Sequence, residues 1–409
     1  MIDFDKNKKL DALLIEVSRQ LDIPAEKYKQ AVDRYHTISE FLHNCPELAR
    51  LNPMVYVQGS MALGTMVAPL SGEEYDVDLT AVFDFEPRSS ADSRQMVYDR
   101  FDSSERYKDK IDDTKRRCIR LLYANEFHID VIAAKPAPRP NRLHGEHSVR
   151  IPDCDLNEWI STNPKGYTLW FFNRAKEHQL TGGMSEVDST QELMLKEARE
   201  LAVASTEPAP RQASPEGKMP LQILVQILKK HRDVFCEGKE HAPISILITT
   251  LAGRAVTPEP SIIETLRRLP KDMKQLIEAD SSDGVWRVLN PTNDNENFAD
   301  KWNERDTPEN KRKAEAKKNA FFEWINDLEE SVNQLVHSIG KGTKVIEGNL
   351  IKIVGSRASV SALDQMKDSI GNARTAGTLA VSGATAGLSM LGGSSSAATK
   401  VKPTSFYGD

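Results

Sequence analysis

YDVDLTAVFDF, residues 75–85, alternates polar with apolar residues and is rich in Val, Phe and Thr. This pattern predicts a β-strand. Side chains two positions apart on a strand point to the same face, so Asp76 and Asp78 present their carboxylates together. FHIDVIAA, residues 127–134, predicts a second strand with Asp130 on the face opposite its buried apolar residues. If the two strands are neighbours, three carboxylates converge on one point.

Converging carboxylates repel one another unless cations hold them. Mg²⁺ prefers hard carboxylate oxygens together with substrate phosphates. Two such ions about 4 Å apart can activate an attacking hydroxyl and stabilise a leaving pyrophosphate. A phosphate cradle fits the preceding strand, MVYVQGS at residues 54–60, because Gly59 lets the backbone approach a phosphate and Ser60 supplies donors. Each motif alone is weak, whereas the order of a GS turn, a DxD strand and a later Asp is specific.

This order, read in QGSMALGT…EYDVDLT…FHIDVIAA, resembles the polymerase-β type of nucleotidyltransferase. The wider resemblance is to the cGAS/DncV-like nucleotidyltransferases of bacterial anti-phage defence, which are relatives of oligoadenylate synthetase. It covers roughly residues 10–338 and includes ILKKHRDVF, APISILITTLA and VLNPTNDNENFADKW. In the last of these, Asn290 replaces the first Asp of the turn found in oligoadenylate synthetases. The resemblance implies an α/β nucleotidyltransferase lobe packed on a helical lobe, followed by a flexible C-terminal tail.

The resemblance also implies the roles of the residues in the α/β lobe. Asp76 and Asp78 would bind both metal ions. Asp130 would bind the catalytic ion and help deprotonate the attacking 2′- or 3′-hydroxyl. Gly59 and Ser60 would hold the triphosphate. The implied metal is Mg²⁺ or Mn²⁺, and the implied substrates are ATP and GTP or other nucleoside triphosphates.

In the helical half, Lys229 matches the family's triphosphate-binding lysine, and Ser245 lies near the matching second position. Lys230 takes the place of Lys229 if the register shifts by one. The residues alone leave other roles open, since a helix lysine is commonly solvated and a serine at a helix start commonly caps it.

The composition indicates a globular protein that does not grip long nucleic acid. Hydrophobic residues make up 39% of the chain and charged residues 28%, with a formal net charge of −6. Proteins that bind duplex nucleic acid usually show a basic face or tail, and neither is apparent. The N-terminus lacks the apolar stretch of a signal peptide, and no apolar run is long enough to span a membrane. Four scattered cysteines indicate free thiols, so we expect a cytoplasmic protein.

The pattern along the chain predicts five segments. They are N-terminal spine helices at 1–48, the α/β lobe at 49–180, a flexible crossing at 181–220, the helical lobe at 221–338 and a mobile tail at 339–409. The tail is rich in Gly, Ala, Ser and Thr, and such a segment buries little apolar area.

The tail also resembles those of family members that are attached to other molecules through the C-terminus by a ubiquitin-like E1/E2 enzyme pair. It ends in KPTSFYGD, so the attachment point would be Gly408 or Asp409. An unstructured tail with no role remains the alternative.

The activity implied by the resemblance is synthesis of a cyclic di- or trinucleotide from nucleoside triphosphates, with release of pyrophosphate. Two alternatives remain open. One is nucleotide transfer to RNA, a protein or a small molecule, and the other is an inactive scaffold or conjugation substrate. The complete set of Asp76, Asp78 and Asp130 counts against the scaffold, because a chain without catalytic use gains nothing from three close carboxylates.

Overall fold

The structure is a computed structural model that describes most of the chain. The described residues are 4–70, 74–85, 88–112, 114–115, 117–123, 127–137, 147–153, 157–177, 209–210, 212, 217–259, 261–375, 379–382, 387–390 and 398–400. Most of the predicted crossing at 181–220, the turn at Asn125 and the C-terminal residues Gly408 and Asp409 lie outside them.

Helices dominate the two ends of the chain. They are α1 (Phe4–Leu21), α2 (Ala25–His43), α3 (Pro46–Ala49), α4 (Gly59–Ala62), α5 (Ser90–Asp102), α6 (Pro164–Glu177), α7 (Pro220–Phe235), α8 (Ser245–Ala255), α9 (Ile262–Asp280), α10 (Pro308–Ser338) and α11 (Thr343–Thr375). Short 3₁₀ turns cover Lys108–Lys110 and Asp300–Trp302.

The strands lie mainly between α3 and α6. They are β1 (Met54–Gln58), β2 (Tyr75–Val82), β3 (Ile111–Asp112), β4 (Ile119–Tyr123), β5 (Phe127–Pro136), β6 (Val149–Asp153) and β7 (Glu158–Thr162), followed later by β8 (Leu289–Asn290), β9 (Asn293–Asn297), β10 (Leu379–Ser382), β11 (Gly387–Met390) and β12 (Ala398–Lys400). The main sheet has the order β1-β2-β5-β4-β3, with β6 joining β5 to β7. Its pairs are antiparallel except for β2 and β5, which run parallel.

Two hydrophobic cores confirm the predicted combination of an α/β lobe and a helical lobe. One core lies under the sheet and is closed by α2 and α5, with Tyr35 and Phe101 fully buried. The other joins α1 to helices α6–α11. The two N-terminal helices thus serve different lobes, because the apolar stripe of α1 enters the helical core whereas that of α2 enters the sheet core.

The helix α11 corrects the predicted start of the tail at residue 339. It packs against α1, α7 and α10, and buries Leu350, Ile353 and Val354 almost completely. Gly355, at φ +79°, marks a kink in the helix. Residues on both sides of the kink, Val354 and Ala358 among them, belong to the helical core. The Gly, Ala, Ser and Thr content that predicted a tail belongs mainly to the residues after Ser369, whereas the preceding stretch carries apolar residues at helical spacing. Beyond α11, β10 pairs with β11 and β12 in a small antiparallel sheet.

No helix in the described part of the chain is long and apolar enough to cross a membrane.

Candidate active site

The Gly59–Ser60 turn follows directly from β1. Gly59 has φ +63°, a conformation that favours glycine, and its carbonyl accepts a bond from the amide of Leu63. The Ser60 carbonyl accepts from the amide of Thr65 at 2.9 Å. A Cβ on Gly59 would overlap Oδ2 of Asp78 and lie 3.2 Å from its Cγ. The turn therefore presses its backbone against the carboxylate of the neighbouring strand.

The parallel pairing of β2 with β5 brings the three predicted carboxylates together. Asp78 lies opposite Asp130 in the register. On β5, Phe127, Ile129 and Val131 are fully buried on the other face of the sheet, which leaves Asp130 on the same face as Asp78. The Asp76 side chain is 65% exposed, whereas that of Asp130 is 17% exposed.

Asp78 is the carboxylate of this cluster whose pKa is raised. Burial, reinforced by the charges of Asp130 and Asp76, raises the pKa of Asp78 to about 7. Arg120 and Lys229 oppose the rise. No hydrogen-bond donor among the described residues reaches its carboxylate. A site that lifts a carboxyl pKa this far gains stability from any cation that enters it.

Two basic residues already contact the cluster. Arg120, opposite Asp130 on β4, donates from Nε to Oδ1 at 2.6 Å and from Nη2 to Oδ2 at 2.7 Å. Its Nη2 also lies 3.8 Å from Oδ1 of Asp76. His128 places Nε2 2.6 Å from Glu74 and Nδ1 3.5 Å from Asp76. From the sequence alone, no site role is assigned to Arg120, Glu74 or His128.

One polar face of α7 holds the loop that follows the Gly59–Ser60 turn. Its side chains donate to four carbonyl oxygens, at 2.7–3.0 Å: Gln222 to Leu63, Lys229 to Thr65, Gln226 to Met66, and Lys230 to Ala68. The positions i, i+4, i+7 and i+8 lie on one side of a helix. Gly64 makes this approach feasible, because a Cβ there would lie 2.5 Å from Nε2 of Gln222.

The two candidate lysines differ in their surroundings. Lys229 is 7% exposed, and the charges of Asp78 and Asp76 act on it. Burial, with the nearby charge of Arg232, lowers its pKa to about 8. Lys230 instead reaches the carbonyl of Ala68, farther along the loop. The structure therefore brings Lys229 to the acidic cluster.

Ser245 lies one helix away from Lys229. It is the first residue of α8, and its Oγ accepts a bond from Nη1 of Arg232 at 2.9 Å. Arg232 follows Lys229 by three positions on α7, and its charge helps to lower the pKa of the lysine. Its hydroxyl makes no N-cap bond.

The comparisons with known proteins agree with this geometry. Residues 9–174 match a family described as the Second Messenger Oligonucleotide or Dinucleotide Synthetase domain. A c-di-GMP synthase of Roseivirga ehrenbergii is 26% identical to the chain over 417 residues, which covers 100% of both proteins. The chain is a nucleotidyltransferase that resembles the cGAS/DncV-like enzymes.

Two further comparisons place this nucleotidyltransferase among its relatives. The cyclic dinucleotide synthase CdnG of Bradyrhizobium diazoefficiens is 24% identical over 304 residues, covering 72% of this chain and 70% of that protein. A solved structure of CdnG from the same organism, in complex with GTP, has a TM-score of 0.65 at 20% identity. It covers 88% of this chain and 99% of that one, and it supports the fold alone.

The donor set of the nucleotidyltransferase fits a divalent cation. Three carboxylates share one face, and burial together with the charges of Asp130 and Asp76 raises the pKa of Asp78. Among the described residues, however, no three acidic, histidine or cysteine side chains are already arranged around one point as metal ligands. Both oxygens of Asp130 bond to Arg120 instead.

Proposed function

We propose that this nucleotidyltransferase joins two nucleoside triphosphates into a cyclic dinucleotide, with GTP as its first substrate. The observation that carries the proposal is the contact of the Gly59 turn with Asp78, opposite Asp130 in the parallel register. This contact supports the proposal because a phosphate held by the turn would lie beside a cation held by the carboxylates. Two curated relatives are named as cyclic dinucleotide synthases, one of them as a c-di-GMP synthase, and the chain aligns with that one from end to end.

The proposed reaction consists of two nucleotidyl transfers, each of which forms one phosphodiester bond and breaks one phosphoanhydride bond. A ribose hydroxyl of one nucleotide attacks the α-phosphorus of another, a new phosphodiester bond forms, and pyrophosphate leaves with its bridging oxygen. A second transfer within the linear product closes the ring. Asp76, Asp78 and Asp130 would hold Mg²⁺ or Mn²⁺, which supplies positive charge at the attacking and leaving oxygens. The chain itself contributes mainly positioning.

The remaining residues bind and orient the triphosphate. Gly59 and Ser60 present backbone and hydroxyl donors beside Asp78. Lys229 approaches from the helical lobe and supplies a cation beside the same cluster. Since Lys229 donates to the Thr65 carbonyl here, a bound triphosphate would compete for its ammonium group. Ser245 acts through Arg232, which it holds near Lys229.

Product analysis tests this proposal. The purified full chain is incubated with Mg²⁺ or Mn²⁺ and each nucleoside triphosphate singly and in pairs, treated with phosphatase, and analysed by mass spectrometry. We expect a phosphatase-resistant cyclic dinucleotide from GTP. Asp76→Asn/Asp78→Asn should abolish it, whereas Asp33→Asn/Asp102→Asn, which changes two exposed carboxylates on α2 and α5, should not. Equal product from both double variants would contradict the proposed site. A product only from ATP or from mixed nucleotides would contradict the base assignment alone.

Attachment of the C-terminus to another molecule is a separate proposal. It rests on the sequence KPTSFYGD, since Gly408 and Asp409 lie outside the described residues. Co-expression with a ubiquitin-like E1/E2 pair followed by intact-mass measurement tests it. A mass increase that a chain ending at Ser405 does not show is the expected result, and an unchanged full-chain mass would contradict it.

A further inference from the structure

Arg120 contacts the acidic cluster more closely than any other cation in the described part of the chain. Its guanidinium bonds to both carboxylate oxygens of Asp130, and the same Nη2 points towards Asp76. The side chains of Arg120 and Asp130 are 18% and 17% exposed, so water screens their attraction only partly. Bidentate Arg–carboxylate pairs are among the strongest and most directional hydrogen bonds in proteins.

The pairing follows from the sheet rather than from a chance side-chain position. β4 and β5 are antiparallel, and Arg120 lies directly across from Asp130 in their register. Cross-strand neighbours on one face lie about 5 Å apart at their Cβ atoms, so the register keeps the guanidinium within reach of Asp130. The register thus builds one positive charge into a site of three carboxylates.

This arrangement distinguishes Asp130 from Asp78. The Asp78 carboxylate accepts no hydrogen bond from the described residues, and only the charges of Arg120 and Lys229 lower its pKa. Asp130 is occupied at both oxygens. A divalent cation that binds all three carboxylates therefore finds the Asp78 carboxylate without a hydrogen-bond donor. At Asp130 it has to replace the bonds from Arg120.

We propose that Arg120 is a positioning residue that competes with the divalent cation for Asp130 and keeps the metal affinity of the nucleotide-free enzyme low. The inference rests on the proposed function, because it requires the acidic cluster to be the metal site. Two effects of Arg120 act in the same direction. The guanidinium group of Arg120 bonds to the Asp130 oxygens that the metal would use, and its positive charge repels a cation beside it.

Binding of Mn²⁺ to the full chain without nucleotide tests the inference, with free Mn²⁺ followed by electron paramagnetic resonance. Arg120→Gln should lower the Kd for Mn²⁺ by about fivefold or more, the low end of typical coupling between two sites. Arg120→Lys keeps the charge but cannot bond both oxygens at once, so its Kd should lie between those of wild type and Arg120→Gln. Arg117→Gln is the matched control, because Arg117 pairs with Asp153 instead of the cluster.

The outcomes separate this inference from the proposed function. A Kd for Arg120→Gln equal to or higher than that of wild type would overturn the inference, since Arg120 would then support metal binding. If Arg120→Gln does not fold, as judged by circular dichroism, a Kd for Arg120→Lys at or above the wild-type value overturns it equally. If wild type and Asp76→Asn/Asp78→Asn bind Mn²⁺ alike, the cluster is not a metal site and the proposed function fails with it.

Discussion

Gly59 and Asp78 lie in contact between the end of β1 and the middle of β2, with no room for a side chain at position 59. The glycine also adopts φ +63°. These two constraints have different consequences. The dihedral angle favours glycine for the sake of the backbone. The absence of a Cβ leaves room for the Asp78 carboxylate at its present position.

Gly59→Ala should therefore lower activity much more than stability. The added Cβ pushes the Asp78 carboxylate out of its position, and a displacement of about 1 Å at a reacting centre can cost about 100-fold in rate. We expect kcat/KM for cyclic dinucleotide formation to fall by about that factor. Steady-state rates and thermal melting of the purified variant measure both effects.

Gly238→Ala is the control for this substitution. Gly238 has a similar φ of +74°, but nothing lies within 4 Å of the Cβ position. It carries the same kind of backbone strain, of order 1–3 kcal/mol, without disturbing a carboxylate. Wild-type rates in Gly59→Ala, or an equal loss of rate in both variants, would show that the contact with Asp78 has no catalytic importance.

Lys229→Met and Lys230→Met should separate substrate binding from loop support. Each substitution removes one bond to a loop carbonyl and keeps the length of the side chain. The charges of Asp76 and Asp78 act on Lys229, whereas Lys230 bonds to the carbonyl of Ala68, farther along the loop. We expect Lys229→Met to raise the KM for GTP by about tenfold, the cost of about one charge-assisted hydrogen bond, and Lys230→Met to leave it within about twofold. Initial rates over a range of GTP concentrations measure both, and equal increases in KM would mean that both lysines act through the loop.

The raised pKa of Asp78 predicts how the stability of the metal-free chain depends on pH. Its pKa is about 7 in the folded chain and 3.8 in the unfolded chain. The folded state therefore binds the proton more tightly, and the stabilisation is complete below the unfolded pKa and is lost as the pH rises through about 7. Asp78→Asn removes the charge, so in a chelating buffer it should melt above wild type at pH 7.5 and about equal to it at pH 4. Thermal melting across this range checks the difference, and a constant offset at all pH values would contradict the assignment.

The acidic cluster could be predicted from the sequence because it depends on local alternation. The period of two in YDVDLT and FHIDVIAA fixed which residues share a face, and only the pairing of the two strands had to be assumed. Arg120 could have been found in the same way. Since β4 and β5 follow each other closely along the chain, antiparallel pairing with a short connection would place residues 120 and 130 opposite each other, as the register has them.

The grip of α7 on the loop could not be predicted in this way. From the sequence, Lys229 and Gln226 occupy polar positions of an amphipathic helix, and side chains at such positions are normally exposed to solvent. They are buried because carbonyl oxygens some 160 residues earlier in the chain lie against them. Such a contact depends on how the two lobes pack, and no local pattern encodes it.

The helix α11 was not predicted because the Gly, Ala, Ser and Thr content of the residues nearer the C-terminus obscured the apolar spacing before them. Its deletion makes the last prediction. A chain ending at Gly342 exposes the surfaces of α1, α7 and α10 that α11 covers. Leu350, Ile353 and Val354 are each at most 1% exposed, and full burial of such a side chain stabilises by about 1.5–3 kcal/mol. Together they amount to about 5 kcal/mol or more, a large part of the stability of a typical domain.

We therefore expect the chain ending at Gly342 to melt well below the full chain or to aggregate, whereas a chain ending at Thr375 should melt within about 2 °C of it. Both truncated chains lack the C-terminal residues, so a difference between them reports α11 alone. Differential scanning calorimetry makes the comparison. Equal melting temperatures would mean that the helical core is complete without α11. The predicted start of the tail at residue 339 would then be the correct boundary of the folded part.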